Sequence, residues 1–332
     1  MHTIGIIGAG LIGKKRAASF ASFKNVRLAA VCDLSPGRAQ GLAKEFGSAV
    51  EKDATSLINR SDIDAVVIAT ANDAIVPCAV QALRAEKHVL AEKPAGRNPE
   101  ELRELVEAAK NARGILRVGF NHRFHPGLQK AQELVRAGAV GPLMYIRARY
   151  GHGGRIGYDK EWRADPALSG GGELLDQGVH LIDLSRWIAG DLGLEFGRVE
   201  TYFWNMPVED NGFLLLKSPH SNVRAFLHAS CTEWKNLFDF EIFGQTGKIQ
   251  IFGLGRSYGA EELRFYKMKP EMGPPDFERH EFPGEDDSWK FEFAAFLQEI
   301  EGKKTDIATG EDAYHAVRLV YEAYRQSDRR RV

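Results

Sequence analysis

Asp176 and His180 stand four residues apart in the stretch Gly170-Gly171-Gly172-Glu173-Leu174-Leu175-Asp176-Gln177-Gly178-Val179-His180. On an α-helix, positions i and i+4 lie one above the other on the same face. The pair then sets a carboxylate beside an imidazole, a common way to build a proton-transferring base that works near neutral pH. The spacing alone suits a plain surface or core hydrogen bond as well, so a second part of the chain must point to the same chemistry. Lys93 supplies one such pointer. It directly follows an apolar strand and precedes Pro94, which favours an extended residue before it. An ammonium group held there can polarise a substrate oxygen, although an exposed surface lysine fits the residues alone equally well.

A third constellation lies near the start. Thr3 to Ile7 reads as a buried strand, Gly8-Ala9-Gly10-Leu11-Ile12-Gly13 follows, and a helical stretch runs on to about Phe23. This is G-x-G-x-x-G between a strand and a helix, the context that gives the motif its meaning. Gly8 allows the tight turn, Gly10 a close approach of pyrophosphate to the backbone, and Gly13 close helix–strand packing. The N–H groups at the helix start, from Leu11 and Ile12 onward, are suited to hold phosphates. A second strand from Val26 to Cys32 ends at Asp33, twenty positions after Gly13. A carboxylate there can bond both ribose hydroxyls of NAD and repels the 2′-phosphate of NADP. NAD is therefore the expected cofactor, and Arg38, a turn further on, is the residue that would admit NADP.

The elements that must carry these groups follow from periodicity. Helices are expected over Pro36–Phe46, 74–85 and 99–112, with strands over 65–69, 87–91 and 116–120. Short apolar strands alternating with amphipathic helices predict a parallel, doubly wound sheet, whose ligands sit at the carboxyl ends of the strands. That places the glycine motif, Asp33, Thr70 to Asp73 (with Asn72) and Glu92-Lys93-Pro94 on one rim.

Bulk numbers set outer bounds. A length of 332 residues suggests two domains. With 44 Lys+Arg against 45 Asp+Glu, the net charge of -1 gives no argument for a nucleic-acid or membrane partner. The chain enters a strand almost at once, so no signal peptide is expected. Cys32, Cys78 and Cys231 are isolated, which argues against a disulfide framework or zinc site and fits a cytoplasmic protein. No group of His and carboxylates has metal-ligand spacing, so no metal is expected.

Taken together, G-x-G-x-x-G near the start, E-K-P after the fifth strand and G-G-G-x-L-x-D-x-G-x-H in the second half resemble the glucose–fructose oxidoreductase / inositol dehydrogenase (Gfo/Idh/MocA) family. The likeness covers nearly the whole chain. It implies an N-terminal Rossmann domain, residues 1–121, and a C-terminal α+β domain, residues 122–332, with a large open, mostly antiparallel sheet. The final helices are free to pack back on the first domain. It also implies that substrate lies between the two domains, over the nicotinamide. By position, Lys93 matches the family's E-K-P lysine, Asp176 its active-site aspartate and His180 the usual acid/base. Thr70, Asn72 and Glu92 fall with the cofactor-contacting loops. Many members carry a His shortly after the Asn that Asn72 matches; here Asp73-Ala74 stand instead.

In the second half, Gly119 to Pro126 reads as a hinge, and the resemblance turns Arg123, His122 and His125 toward the cleft, although loop packing suits both histidines. Gly127–Ala137 is an expected helix and Leu143–Tyr150 a strand with one polar face. Gly151 to Ser169 is a long loop holding Arg155, Tyr158, Trp162 and Arg163. These residue types grip ligands, so the loop reads as the substrate-specificity segment, with a solvated or subunit-contact loop as the competing reading. Several β segments follow between Glu200 and Tyr266. An exposed sheet face bearing Trp204, Trp234 and Phe238 suggests a homodimer or homotetramer. Met268–Asp287 reads as a loop or arm, two helices follow at about 289–301 and 310–326, and Arg329-Arg330-Arg331 as a solvated tail.

The function expected from these residues and the resemblance is NAD-dependent hydride transfer between nicotinamide and a secondary alcohol of a sugar or cyclitol. Two alternatives share the same residues: a glycosidase that keeps NAD bound and acts by transient oxidation and elimination, and a non-catalytic NAD-binding sensor. Arg123, Arg155 and Arg163 would suit an anionic sugar but also bond neutral hydroxyls.

Overall fold

The computed structural model describes residues 1–328; the basic run Arg329 to Arg331 lies outside them. The elements in chain order are β1 (His2–Ile7), α1 (Leu11–Phe20), β2 (Val26–Cys32), α2 (Pro36–Phe46), β3 (Ala49–Val50), α3 (Ala54–Ile58), β4 (Ala65–Ile68), α4 (Asn72–Arg84), β5 (His88–Glu92), α5 (Pro99–Lys110) and β6 (Leu116–Gly119). Then come α6 (Pro126–Arg136), β7 (Leu143–Gly151), the short α7 (Pro166–Ser169), one turn of π-helix (Leu174–Gly178) and α8 (Val179–Ala189). Strands β8 (Gly193–Glu200), β9 (Asn211–Lys217), β10 (Arg224–Ser230), β11 (Leu237–Gly244), β12 (Gly247–Phe252), β13 (Glu261–Lys267) and β14 (Asp276–Phe282) lead to α9 (Ser288–Ile300) and α10 (Gly310–Asp328).

The chain forms two compact units. The first holds Met1–Asn121, Ala167–Gly170 and Asp287–His315; the second holds His122–Pro166, Gly171–Asp286 and the chain from Ala316. In the first, six parallel strands run in the order β3-β2-β1-β4-β5-β6, the doubly wound arrangement whose ligand crevice lies at the strand carboxyl ends. Its central strands read as unbroken apolar runs because both faces are covered: Ala65 to Ile68 are wholly buried. The first unit is completed from far along the chain. Phe293 of α9 packs on Phe20 of α1 at 4.1 Å between ring centres, and Val118 of β6 donates its N–H to Ala308 O at 2.9 Å.

The second unit is an eight-stranded sheet, β14-β13-β12-β11-β7-β10-β9-β8, antiparallel except for the β10–β7 pair. One face is apolar. Ile146 and Ala148 of β7, Phe240 and Ile242 of β11 and Ile249 and Ile251 of β12 are buried there, as period-2 alternation requires. The opposite face mixes aromatic and charged residues. Tyr145 stacks on Phe243 at 4.3 Å, and Arg147 and Lys248 both pair with Glu241, at 2.5 and 2.6 Å. This corrects the residues expected to make that face apolar. Phe238 is 2% exposed on the inner side, Trp204 and Trp234 lie in loops, and Tyr145, Phe226 and Phe277 are exposed aromatics of the face. The stretch expected as an arm from Met268 contains β14, an edge strand paired to β13.

Candidate active site

In the first unit the glycine motif is built as its residue types require. Gly8 has φ +99°, and a Cβ there would lie 2.4 Å from Ala69 O. A Cβ on Gly13 would lie 1.9 Å from Gly8 O. Gly10 differs: a Cβ would meet nothing within 4 Å, so the chain leaves open space at the start of α1, where no side chain caps the helix. An uncapped helix N-terminus facing open space is what a pyrophosphate needs. Asp33 follows β2, and its carboxylate accepts N–H bonds from Ala9 and Ser35, both at 2.7 Å. These bonds fix the acid beside the glycine turn. Arg38 is exposed on α2. The groups present therefore fit a dinucleotide: the starts of α1 and Gly10 for the pyrophosphate, Asp33 for the ribose.

Three expected cofactor residues also make bonds within the scaffold. Thr70 donates its hydroxyl to Ala71 O at 2.9 Å. Asn72 begins α4, two residues earlier than periodicity suggests, and is 5% exposed; its amide donates to Ser169 O at 2.8 Å. Glu92 is buried against Arg16 of α1, whose Nε donates to it at 2.6 Å. Arg16 is fully buried and also donates to Glu292 of α9 at 2.5 Å. Burial pulls the Arg16 pKa down, but Glu292 and then Glu92 pull it up and prevail. Next along the chain, Lys93 does not continue extended. It is half-buried in a tight turn closed by Ala95 N–H on Glu92 O at 2.9 Å, with a cis Lys93–Pro94 bond. Arg16 thus anchors the residue that precedes the lysine, a link that no local motif announces.

In the second unit the helix expected over Asp176 and His180 is not one continuous α-helix. Leu174–Gly178 forms a π-turn, and α8 begins only at Val179. Such wide single turns recur at functional sites. Gly178 makes room for it, because a Cβ there would lie 2.6 Å from Leu174 and 3.2 Å from Ala229. His180, 2% exposed, stacks on His122 at 3.7 Å with 23° between rings. Tyr150 closes the group with its ring edge toward His122, at 5.1 Å. Burial holds the Tyr150 hydroxyl well above its ordinary pKa, so it remains a neutral donor. Asp176 accepts a bond from Arg163 Nε at 3.0 Å.

The expected substrate residues divide. Arg123 is 5% exposed and grips Asp183 of α8 with both arms of its fork, at 2.8 and 2.5 Å. That bidentate pair ties the chain after β6 to α8. Tyr158 is buried against Glu173 and Trp204. Arg155 donates to Glu161 at 2.6 Å. Arg163 lies over Trp162 at 4.6 Å and binds Asp176. Burial lowers the Arg163 pKa, and Asp176 with its neighbours raises it further than burial lowers it. His152, half-buried, reaches Glu173 at 3.5 Å; burial lowers its pKa, while Glu173 and Asp176 outweigh that and keep it raised.

A parallel sheet ending in a glycine-rich phosphate cradle, together with a second unit carrying an aspartate on a π-turn and a buried histidine at the start of the helix that follows, defines a dinucleotide-dependent oxidoreductase architecture. The model of an oxidoreductase family with an NAD-binding Rossmann fold matches residues 2–120, and that of the GFO/IDH/MocA C-terminal domain matches residues 128–250. The chain belongs to the Gfo/Idh/MocA family, and its first unit is an NAD-binding Rossmann domain. It is 33% identical over 190 residues to an inositol 2-dehydrogenase of Saccharopolyspora erythraea, covering 56% of this chain and 53% of that one. It is 28% identical over 228 residues to the levoglucosan dehydrogenase of Pseudarthrobacter phenanthrenivorans, covering 63% and 56%. The chain thus matches little more than half the length of these relatives. A levoglucosan dehydrogenase structure in complex with NADH and levoglucosan has the same fold, with TM-score 0.89, 23% identity and 98% of each chain covered.

Proposed function

We propose that this protein is an NAD-dependent dehydrogenase acting on a secondary hydroxyl of a neutral sugar or cyclitol. The observation that carries the reading is that one chain holds a dinucleotide cradle in its first unit and, in its second, Asp176 on a π-turn that runs directly into the helix of His180. When bound, the nicotinamide exchanges hydride with the substrate carbon. His180 takes the hydroxyl proton during oxidation and returns it during reduction. Asp176, held by Arg163, receives a neighbouring hydroxyl or orients the imidazole. Lys93 donates to the reacting oxygen and stabilises its developing negative charge. The substrate is neutral because Arg123, Arg155 and Arg163 are each paired with a carboxylate of the chain: Asp183, Glu161 and Asp176. An anionic sugar would have to displace one of them. Among the described residues no helix is long and apolar enough to cross a membrane, and all three cysteines are free thiols. The thiols support a reducing, cytoplasmic setting. The aromatic outer face of the second sheet supports self-association into a dimer or tetramer.

The test is NADH formation over a panel of neutral polyols, sugar acids and sugar phosphates. Neutral substrates should turn over, and Lys93→Ala and His180→Ala should each lower kcat by about 10²–10⁴-fold. Wild-type rates in both variants, or turnover confined to anionic sugars, would overturn the assignment.

A further inference from the structure

Glu209 lies in the connection between β8 and β9, far from any motif, yet it bonds to the start of the turn that carries Asp176. Its carboxylate accepts the Gly172 N–H at 2.9 Å on one oxygen and the Leu174 N–H at 3.1 Å on the other. Tyr324 of α10 donates its hydroxyl to the second oxygen at 2.7 Å. The Glu209 main-chain carbonyl accepts the Glu173 N–H at 2.9 Å. Three successive N–H groups at the entry to the π-turn are thus held by one residue. These are among the donors that a helical start leaves unpaired, and a carboxylate is the strongest partner for them.

Two further features show that this contact is built in. A Cβ on Gly172 would lie 2.0 Å from Glu209 O, and one on Gly171 would lie 2.2 Å from the Tyr324 hydroxyl. The glycines therefore exist to let the turn seat directly on Glu209 and Tyr324. Glu209 is itself fixed by its neighbour. The Asp210 carboxylate collects the N–H groups of Tyr202, Phe203 and Trp204 at 2.7 to 3.0 Å, and the Asp210 carbonyl accepts Cys231 N–H at 2.9 Å.

We propose that Glu209 is a positioning residue for His180: its buried carboxylate, backed by Tyr324, fixes the π-turn and so sets where α8 presents the imidazole. The kinetic part of this assignment rests on the dehydrogenase reading; the positioning part does not. Glu209→Gln keeps the size of the side chain but turns an amide NH₂ toward one of the N–H donors, and Tyr324→Phe removes only the hydroxyl. Amide exchange of residues 172–180 and the NMR titration of the His180 ring are measured in both variants, with NAD affinity as the check that the first unit is intact. In Glu209→Gln, exchange at Gly172 and Leu174 should quicken about tenfold or more. The His180 titration should shift, and kcat should fall about ten- to hundredfold with little change in the KM for NAD. Tyr324→Phe should show the same changes at smaller size, and it carries the test if Glu209→Gln does not fold. Wild-type exchange and an unshifted His180 titration in a folded variant overturn the proposal. Faster exchange with an unmoved titration and unchanged kcat overturns it too, leaving Glu209 a stabilising contact only. If no polyol is turned over by the wild type, the dehydrogenase reading fails, and exchange and titration still decide the role of Glu209.

Discussion

Replacing Arg16 by methionine should be among the most damaging single changes in the first unit. Arg16 is fully buried and contacts two carboxylates, Glu92 and Glu292, that are themselves 6% and 0% exposed. Its guanidinium also lies 4.5 Å from the centre of the Trp289 ring. Methionine keeps much of the length of the stem but leaves two buried carboxylates without their shared cation. Removing one partner of a buried ion pair typically costs about 3–5 kcal/mol, most of it the burden of the charge left behind. Here that burden falls on two groups, so the upper part of that range applies. Urea unfolding followed by the fluorescence of bound NADH reads the first unit directly. The variant should lose about 4–5 kcal/mol and, because Glu92 enters the turn of Lys93, should lose activity at urea concentrations well below its unfolding midpoint. The triple variant Arg16→Met, Glu92→Gln, Glu292→Gln carries no orphaned charge and should recover much of the loss, since neutral replacement of a buried ionic cluster is often tolerated. A loss below about 1 kcal/mol for Arg16→Met would refute the reasoning, as would a triple variant no more stable than the single one.

Three more outcomes are expected. Asp33→Ser removes the carboxylate that follows β2 and should raise the ratio of kcat/KM for NADP to that for NAD by about tenfold or more, equivalent to about 1.4 kcal/mol, measured with the preferred polyol. Glu209 has its pKa raised from 4.5 to about 7, chiefly by burial, with Tyr324 and the backbone donors opposing. A carboxyl whose folded pKa is raised holds its proton in the native state after the unfolded chain has released it. Stability should therefore fall as pH rises from about 4.5 to about 7; Glu209→Gln lacks this component, and the difference in Tm between wild type and variant should change with pH across that window. Arg163→Met releases Asp176 from its guanidinium and should lower kcat/KM for a neutral polyol by about tenfold; a gain in sugar-acid turnover in the same variant would contradict the neutral-substrate assignment.

Local chemistry was legible in the sequence, and long-range pairing was not. The glycine motif and Asp33 are readable because their roles depend on a strand, a turn and a helix that follow one another within thirty or so residues. The buried strands of the first unit fall within a residue or two of expectation because unbroken apolar runs bounded by polar residues have few alternatives. β3 and α3, two and five residues long, are too short to show a period. In the second unit β8 does not show in the sequence, because a bulge between Leu194 and Phe196 breaks its alternation. β14 reads as an arm because it is an edge strand of mostly exposed residues, with no apolar face to betray it. At the site, the spacing of Asp176 and His180 is readable, but the π-turn between them is not, since it depends on Gly178 seating against Leu174 and Ala229. Glu92 and Arg16 are 76 positions apart and Arg123 and Asp183 are 60 apart. Nothing in the neighbourhood of either arginine announces a partner.

The path of the chain through its two units bears on how the protein is made. The chain leaves the first unit after Asn121 and returns to it twice, at Ala167–Gly170 and at Asp287–His315. A nascent chain emerging from the ribosome therefore presents the glycine cradle long before α9 exists to cover α1. Arg16 and Glu292 are separated by 276 positions, a synthesis time of roughly 14–55 s at about 5–20 residues per second. During that interval the nucleotide site is an unfinished domain with an exposed α1 face and one of its two counter-charges missing. Residues 1–121 expressed alone should therefore bind cofactor poorly, and a fragment fused to residues 287–315 should bind it well.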